Sequence, residues 1–333
     1  MTNPVLAEVT RGQTVESRHL GAFCVIGPGG KVLASKGDIE APIFPRSAIK
    51  AFQALPLLET GAADRYGFTD EEIALCVSSH NGEPDHVRVA RSMLAKAGVS
   101  ETDYECGSHW PYDMPALHDM ITKGETPHDV HNNCSGKHAG MLAFAKASGA
   151  DVKGYVGIDH PVQQAVAKAM GEICDVDLKN QAWGIDGCSV PTWAIPLKKL
   201  ALGFQRFASG DDLSDTRKAA CARITRAARA HPFMVAGTER FCTDLMKAVP
   251  RMFVKTGAEG VFCGAVPHAG IGLAVKCDDG AHRASEAVTA AILVGLDCWT
   301  NEERAILQGF TRQPITSRKG VEVGEVRAII SAS

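Results

Sequence analysis

Three short segments carry serine and lysine residues in an order that serine enzymes use for acyl transfer. Ser47 is followed three residues later by Lys50, Ser79 is followed two residues later by Asn81, and Lys255 opens a Lys-Thr-Gly sequence. No other serine of the chain has lysine three places on, and no other has asparagine two places on. Each segment alone is a weak signal. Together they favour hydrolysis of an amide bond by a serine nucleophile and a lysine base.

The first segment has the spacing that this chemistry requires. A serine hydroxyl needs a neighbouring base to remove its proton, and residues three apart in a helix share one face. We predict that a helix begins after Pro45 and has Ser47 in its first turn, where free N–H groups favour a developing anion. Pro56 is expected to kink or shorten the second half of this helix.

Lys50 can act as a base only when its amine is neutral. Its pKa, about 10.4 in water, must fall by about three units to be half neutral near pH 7. Burial and a nearby cation can lower it, and we predict that Lys255, in a strand, is that cation and also a partner of Ser79. The alternative is that Ser47 caps a helix while Lys50 and Lys255 are surface charges. The ordered set of three segments favours the catalytic interpretation.

A second polar cluster, residues 132–138, precedes an apolar stretch that we predict to be a helix ending at Gly149. Asn133 or Ser135 is expected to cap this helix. Cys134 and Lys137 lie three residues apart, and His138 lies four residues after Cys134, so that all three can form one binding face.

A further thiol stands beside a carboxylate in the predicted turn Asp186–Cys188. Two thiolates brought together can bind zinc. However, neither Cys134 nor Cys188 has a second cysteine two to four residues away, and free cysteines are commonly buried as small apolar side chains. Spacing alone therefore favours structural cysteines.

The chain resembles, over nearly its whole length, the Rhizobium-type L-asparaginases, also called the asparaginase II or thermolabile group. The resemblance is carried by six segments: residues 44–50, 78–83, 132–138, 186–188, 231–232 with Gly237, and 255–260. It implies a fold similar to serine β-lactamases and serine-dependent glutaminases, and hydrolysis of L-asparagine to L-aspartate and ammonia. It also implies a homodimer.

The resemblance assigns roles to individual residues. It implies two catalytic pairs, Ser47 with Lys50 and Ser79 with Lys255. It also implies a zinc site formed by Cys134, Lys137 and Cys188. We predict that the following residues contact the substrate: Arg46, His80, Asn81, Asn133, His138 and Asp186. For Arg46 the chemistry is a two-pronged contact with the α-carboxylate, although a surface arginine fits the sequence equally well.

Other functions remain open at this stage. Only 32 residues separate Ser47 from Ser79, and no glutamate stands out as the base for deacylation, with Glu83 and Glu259 as candidates. One alternative is a glutaminase or a β-lactam-like serine acylase. Another, from a different class, is a non-catalytic zinc-binding or amino-acid-binding protein.

Composition limits the class of protein. The chain has 333 residues, of which 45% are apolar, and a net charge of −3 with no basic stripe, which argues against binding to nucleic acid or to an anionic membrane. No opening segment resembles a signal peptide and no apolar run could span a bilayer. We expect a cytoplasmic protein whose eleven cysteines are reduced.

The pattern along the chain predicts one α+β domain over residues 1–333. We expect a mostly antiparallel sheet from both chain ends, approximately residues 1–45 and 250–333, flanked by helices, and a helical region at about 46–249. Residues 23–26 and 31–34 are predicted to form a hairpin, and helices are predicted to begin at Pro84 and Pro161. Ser47 and Lys255 are expected to meet in a cleft between the two regions.

Overall fold

Both ends of the chain contribute strands to one antiparallel sheet in the computed structural model, which describes residues 2–330. The strands are Val5–Arg11 (β1), Thr14–Ile26 (β2), Val32–Lys36 (β3), Pro42–Ile43 (β4), Trp183–Ile185 (β5), Pro191–Trp193 (β6), Ile195–Pro196 (β7), Phe253–Thr256 (β8), Val261–Val266 (β9), Ile271–Cys277 (β10), Arg312–Thr316 (β11) and Glu322–Ala328 (β12).

The helices are Lys50–Gln53 (α1), Leu55–Glu59 (α2), Ala62–Arg65 (α3), Asp70–Cys76 (α4), Pro84–Ala97 (α5), Met114–Thr122 (α6), Ser135–Ser148 (α7), Pro161–Cys174 (α8), Leu197–Ser209 (α9), Asp215–Ala230 (α10), Pro232–Ala236 (α11), Phe241–Ala248 (α12), His282–Val294 (α13) and Asn301–Gly309 (α14). Short 3-10 helices occupy Pro28–Gly30, Arg46–Ile49, Glu101–Asp103, Asp129–His131, Leu178–Asn180 and Pro267–Ala269.

The described residues form two units. One, the sheet unit, comprises the described residues through Ala48, Ile195–Asp211, and the described residues from Leu245 onward. The other, the helical unit, comprises Ile49–Ala194 and Asp212–Asp244. This division differs from the expected one at α9, because that helix packs on β10, β2 and β9 and so belongs with the sheet.

Within the sheet unit the strand order is β11-β12-β1-β2-β10-β9-β8, with β3 paired to β2. All of these pairs are antiparallel. Strands β8 and β9 are buried along their whole length, and β10 is buried except at Lys276, because α9 and α13 both pack against the central strands. Gly272 permits the close approach of α9, since a Cβ there would lie 2.0 Å from the backbone nitrogen of Gln205.

Helix α7 is the core element of the helical unit. Every residue from Ser135 to Ala145 is buried. It packs against α4, α5 and α8. Gly136 allows this packing, because a Cβ at that position would lie 2.2 Å from the carbonyl oxygen of Leu75 near the end of α4. The first turn of α7 is therefore held against the segment that follows α4.

The structure confirms the predicted fold class, a mostly antiparallel sheet from both chain ends with helices. It also confirms the hairpin, in which Ile26 pairs with Val32, and the helices that begin at Pro84 and Pro161. The helix expected to begin after Pro45 and to be kinked or shortened by Pro56 is instead three short pieces: a 3-10 turn, α1 and α2, with Pro56 in the first turn of α2. Among residues 2–330, no helix is long and apolar enough to cross a membrane.

Candidate active site

Lys50 is a buried amine at the start of α1. Only 1% of its surface is exposed. Its Nζ donates a hydrogen bond to Ser79 Oγ at 3.0 Å and another to the carbonyl oxygen of Ser78. Burial lowers the pKa of Lys50 and, together with the nearby Lys137, outweighs Cys134 and Cys188, which raise it. The amine is thus shifted towards the neutral form that a base requires.

The Ser78–Ser79 segment is fixed by its neighbours on both sides. Helix α4, which precedes it, begins with a capping box between Thr69 and Glu72. After α4, the Ser79 N–H donates to the carbonyl oxygen of Val235 at 2.9 Å. The next N–H, that of His80, donates to the carbonyl oxygen of Asn133 at 3.2 Å. These bonds set the position at which the Ser79 hydroxyl meets Lys50.

Both ring nitrogens of His80 are used within the helical unit. Nδ1 accepts the Gly82 N–H at 3.0 Å, so Nε2 carries the proton and donates to Ser135 Oγ at 2.9 Å. The ring stacks on His86, with centroids 4.8 Å apart, and complete burial holds the pKa of His80 well below its usual value. These contacts favour a neutral histidine that positions the segment over one that binds substrate through a ring nitrogen.

Asn81 links the loop between α11 and α12 to the Ser78–Ser79 segment through side-chain hydrogen bonds. Its Nδ2 donates to the Thr238 carbonyl oxygen at 3.1 Å, and its Oδ1 accepts from Arg240 at 2.7 Å. Glu83 holds the loop as well, with one carboxylate oxygen on the Thr238 N–H and the other on its hydroxyl. A Cβ at Gly237 would lie 2.5 Å from Glu83, so the loop needs glycine there. Both Asn81 and Glu83 thus have structural partners.

Two thiols and an amine meet at the first turn of α7. Lys137 Nζ donates to Cys188 Sγ at 2.8 Å, and the Cys134 thiol hydrogen-bonds with Cys188. All three side chains are buried. Cys188 lies in the turn between β5 and β6, where Asp186 Oδ1 accepts the Gly187 N–H at 2.7 Å. The sequence-predicted metal ligands are therefore brought together within the helical unit.

The three groups set one another's charge. The hydrogen bond from Cys134, together with Lys137, lowers the pKa of the Cys188 thiol to about 5 despite burial. That same bond and burial raise the pKa of Cys134 to about 12. Burial alone would lower the pKa of Lys137, but the two sulfurs raise it above its usual value. At neutral pH the cluster is a thiolate held by an ammonium and a thiol.

This donor set fits zinc, which binds sulfur and nitrogen ligands. Within the described part of the chain, no group of three or more His, Cys, Asp or Glu side chains is placed to hold a metal. Here the third donor would be an amine, which must lose its proton to bind a metal. Cys134 and Lys137 would each have to lose a proton, whereas Cys188 has already lost its own.

His138 and Asn133 border this cluster. His138 is completely buried, and its Nδ1 lies 2.6 Å from the Tyr155 hydroxyl. Asn133 is fixed through its backbone, since its N–H donates to His109 Nε2 at 2.9 Å. The helix cap predicted at Asn133 or Ser135 is wrong: the neighbouring Asn132 accepts the Cys134 N–H at 2.8 Å through its side chain.

The sheet unit carries the other sequence-predicted residues: Arg46, Ser47 and Lys255. Ser47 is partly exposed in the 3-10 turn, whereas Lys255 in β8 is completely buried. Gly257 brings the two segments together, because a Cβ there would lie 2.6 Å from the Pro45 carbonyl oxygen. Arg46 has a φ of 51°, in the left-handed region.

Each unit thus gathers part of the predicted site. The pairings of Ser47 with Lys50 and of Ser79 with Lys255 join residues of different units and remain predictions. Sequence reasoning missed Ser78, Asn132 and Tyr155. Ser78 and Asn132 adjoin motif residues and could have been found from that position, but Tyr155 has no sequence signal. A groove of about 880 Å³ beside α8, β5 and β6 contains none of the predicted residues.

Solved structures resemble this chain only distantly. A β-lactamase from Mycobacterium bovis is 16% identical with a TM-score of 0.42, and the match covers 87% of this chain and 95% of that one. A β-lactamase from Sphaerobacter thermophilus is 15% identical with a TM-score of 0.40, covering 83% and 90%. A protein named Mglu in its native form is 14% identical with a TM-score of 0.37, covering 86% and 62%. At these levels neither substrate nor mechanism transfers to this chain.

No curated protein sequence gives a significant match. The family model described as L-asparaginase II, in contrast, matches residues 7–328. That match includes every residue of the candidate site in both units. The chain therefore belongs to the L-asparaginase II family and is an enzyme that acts on asparagine.

Proposed function

We propose that this enzyme hydrolyses L-asparagine to L-aspartate and ammonia through an acyl-enzyme on Ser47. The observation that carries the proposal is the buried amine of Lys50, bonded to Ser79 and shifted towards its neutral form. A neutral amine three residues after a partly exposed serine is the base that this nucleophile needs.

In the proposed mechanism, Ser47 Oγ attacks the side-chain amide carbon of asparagine while Lys50 takes its proton. Backbone N–H groups stabilise the oxyanion. The C–N bond breaks, and the leaving nitrogen takes a proton and departs as ammonia. Water then cleaves the β-aspartyl ester and restores the serine. Ser79, hydrogen-bonded to Lys50, and Lys255 would carry protons between the base and the leaving group.

The remaining candidate residues divide by their contacts. We assign substrate binding to Arg46, Asn133, His138 and Asp186. For His80 and Asn81 we favour positioning roles, because their polar side-chain atoms already bond within the protein. The same reasoning removes support for Glu83 as the base of deacylation, since both of its oxygens hold Thr238.

Replacement of the nucleophile is the first test. We expect Ser47→Ala to abolish ammonia release from asparagine, because no acyl-enzyme can form, while the melting temperature stays within a few degrees of the wild type. Ser35→Ala, which changes an exposed serine on β3 of the same unit, is the matched control and should remain active. Wild-type activity of Ser47→Ala would contradict the proposed mechanism.

Glutamine is the competing substrate. One methylene changes transition-state binding by about 1–3 kcal/mol, so we expect kcat/KM for asparagine to exceed that for glutamine by about 10- to 200-fold. Parallel assays of ammonia release at equal substrate concentrations measure this ratio. A ratio near or below one would identify a glutaminase, and rapid opening of a β-lactam would identify a β-lactam-like acylase.

We propose further that Cys134, Lys137 and Cys188 hold one zinc ion. When bound, zinc supplies positive charge that can orient the substrate's carboxylate or amine. It would also tie the β5–β6 turn to α7 through its protein ligands. The nucleophile is Ser47 in either case, so the protein's own chemistry does not require the metal to activate water.

Metal analysis tests this site. We expect one zinc per chain by mass spectrometry after dialysis, and loss of this zinc in Cys188→Ser because a thiolate ligand is removed. Cys221→Ser, which alters another buried free thiol, should keep the metal. Equal zinc content in all three proteins would contradict the assignment. If chelation unfolded a chain that never hydrolysed asparagine, the non-catalytic binding protein would be favoured instead.

We also propose a homodimer with a cytoplasmic location. The dimer is supported by the resemblance to the family. The location is supported by the eleven cysteines, which are all free in this structure, as in proteins of a reducing compartment. Cell fractionation would place the protein, and recovery outside the cytoplasm would contradict this assignment.

The assembly state can be measured directly. Sedimentation equilibrium of the purified chain should give twice the mass of one 35.3 kDa chain at micromolar concentration. Dilution to nanomolar concentration, with catalytic activity as the readout, then shows whether hydrolysis depends on the dimer. A single-chain mass at micromolar concentration would contradict the dimer.

A further inference from the structure

Tyr155 is a completely buried tyrosine behind the first turns of α7. Its hydroxyl accepts the Glu105 backbone N–H at 3.1 Å and lies 2.6 Å from His138 Nδ1. Its own backbone carbonyl accepts from Gln163 at 2.9 Å, while the preceding Gly154 N–H donates to the Glu105 carboxylate at 2.8 Å. Tyr155 is therefore held at its hydroxyl and at its backbone carbonyl.

The hydrogens of this pair can be assigned by counting donors and acceptors. The Glu105 N–H can only donate, so it uses a lone pair of the phenol oxygen. The single phenol proton then needs an acceptor, and His138 Nδ1 is the one within reach. A proton on Nδ1 would leave the phenol proton buried without an acceptor, which is unfavourable. His138 consequently carries its proton on Nε2.

That Nε2–H has no partner within the described residues, although it is completely buried. The ionisable groups that act most strongly on the ring are Lys137, Cys134 and Lys50, all of the candidate site. None of these groups is a hydrogen-bond partner of Nε2 in the structure. The His138 Nε2–H therefore lacks a hydrogen-bond acceptor, which a carboxylate or carbonyl oxygen of a ligand would supply.

We propose that Tyr155 is a positioning residue that locks His138 as an Nε2–H donor to an oxygen of the bound asparagine. Only the identity of the ligand rests on the proposed function. The locked ring presents a donor without rotation or a change of tautomer when substrate arrives. Tyr155 itself touches no reacting atom and acts through His138.

The tautomer can be measured without turnover. In protein labelled with ¹⁵N-histidine, the His138 signals, assigned by their absence in His138→Gln, should show protonated Nε2 and unprotonated Nδ1. Tyr155→Phe should convert them to a mixture of tautomers. Tyr104→Phe is the matched control, because Tyr104 is also buried but its hydroxyl has no partner within residues 2–330. It should leave the His138 signals unchanged.

Binding and kinetics test the ligand. Saturation with L-aspartate should shift the His138 Nε2–H signal. Tyr155→Phe should raise KM for asparagine about tenfold while kcat falls less than threefold, since an oriented substrate contact is lost. Tyr104→Phe should change neither by more than about twofold. In a His138→Gln background, Tyr155→Phe should have less than about a twofold further effect, because the two residues act in series.

Three results would overturn the proposal: a protonated Nδ1 in the wild type, no response of the His138 signal to aspartate, or an equal effect of Tyr155→Phe with and without His138. Because the tautomer is read in protein at rest, its assignment survives even if asparagine proves not to be the substrate. Conversely, normal hydrolysis with the wrong tautomer would reject the role of Tyr155 and leave the proposed function standing.

Discussion

The burial of the Lys50 amine is the constraint on which the rest of the site depends. An ammonium group is costly to bury, and the Ser78 carbonyl and Ser79 hydroxyl only partly replace water around it. The amine is therefore driven towards neutrality, where it can accept a proton. Every element that fixes Ser79, from the capping box of α4 to the close approach of Gly136, also fixes the surroundings of this amine.

The helical unit has a second buried lysine, Lys137, whose pKa is shifted in the opposite direction to that of Lys50. Lys137, one helical turn from Cys134, keeps its proton because a thiolate faces it. Its positive charge in turn lowers the pKa of Lys50. The pKa values of these two lysines of one helical unit thus shift in opposite directions, because burial dominates at Lys50 whereas the two sulfurs outweigh burial at Lys137. The assignment of Lys137 as a metal ligand remains a proposal, and metal binding would require the loss of that proton.

Much of this organisation was predictable from sequence. The sheet from both chain ends, the hairpin around Gly27–Gly30 and the proline-initiated helices follow from periodicity and local turn chemistry, which act over a few residues. The residues gathered at the site were recognisable because the motifs concentrate reactive side chains. The assignment of α9 to the sheet was not predictable, because it depends on Gly272 and on packing between segments about 70 residues apart.

The contacts of the site residues could not be predicted from the sequence either. Nothing in the spacing shows that Asn81 and Glu83 bond to the loop at Thr238, or that Lys137 is the cation beside Lys50. Tyr155 lies in a polar turn without a motif, and its role depends on hydrogen bonds to residues 17 and 50 positions away. Such partners are set by tertiary structure, where a hydroxyl takes whichever acceptor burial leaves within reach.

At Arg46 the backbone conformation favours glycine, whereas recognition of a ligand would favour arginine. A left-handed φ is costly for a residue with a side chain and nearly free for glycine, so the turn before Ser47 would be more stable with glycine there. Glycine, however, has no guanidinium group. If the arginine is retained for the ligand, this turn is a place where selection for robustness and selection for catalysis oppose each other, and stabilised variants of the enzyme should leave it alone.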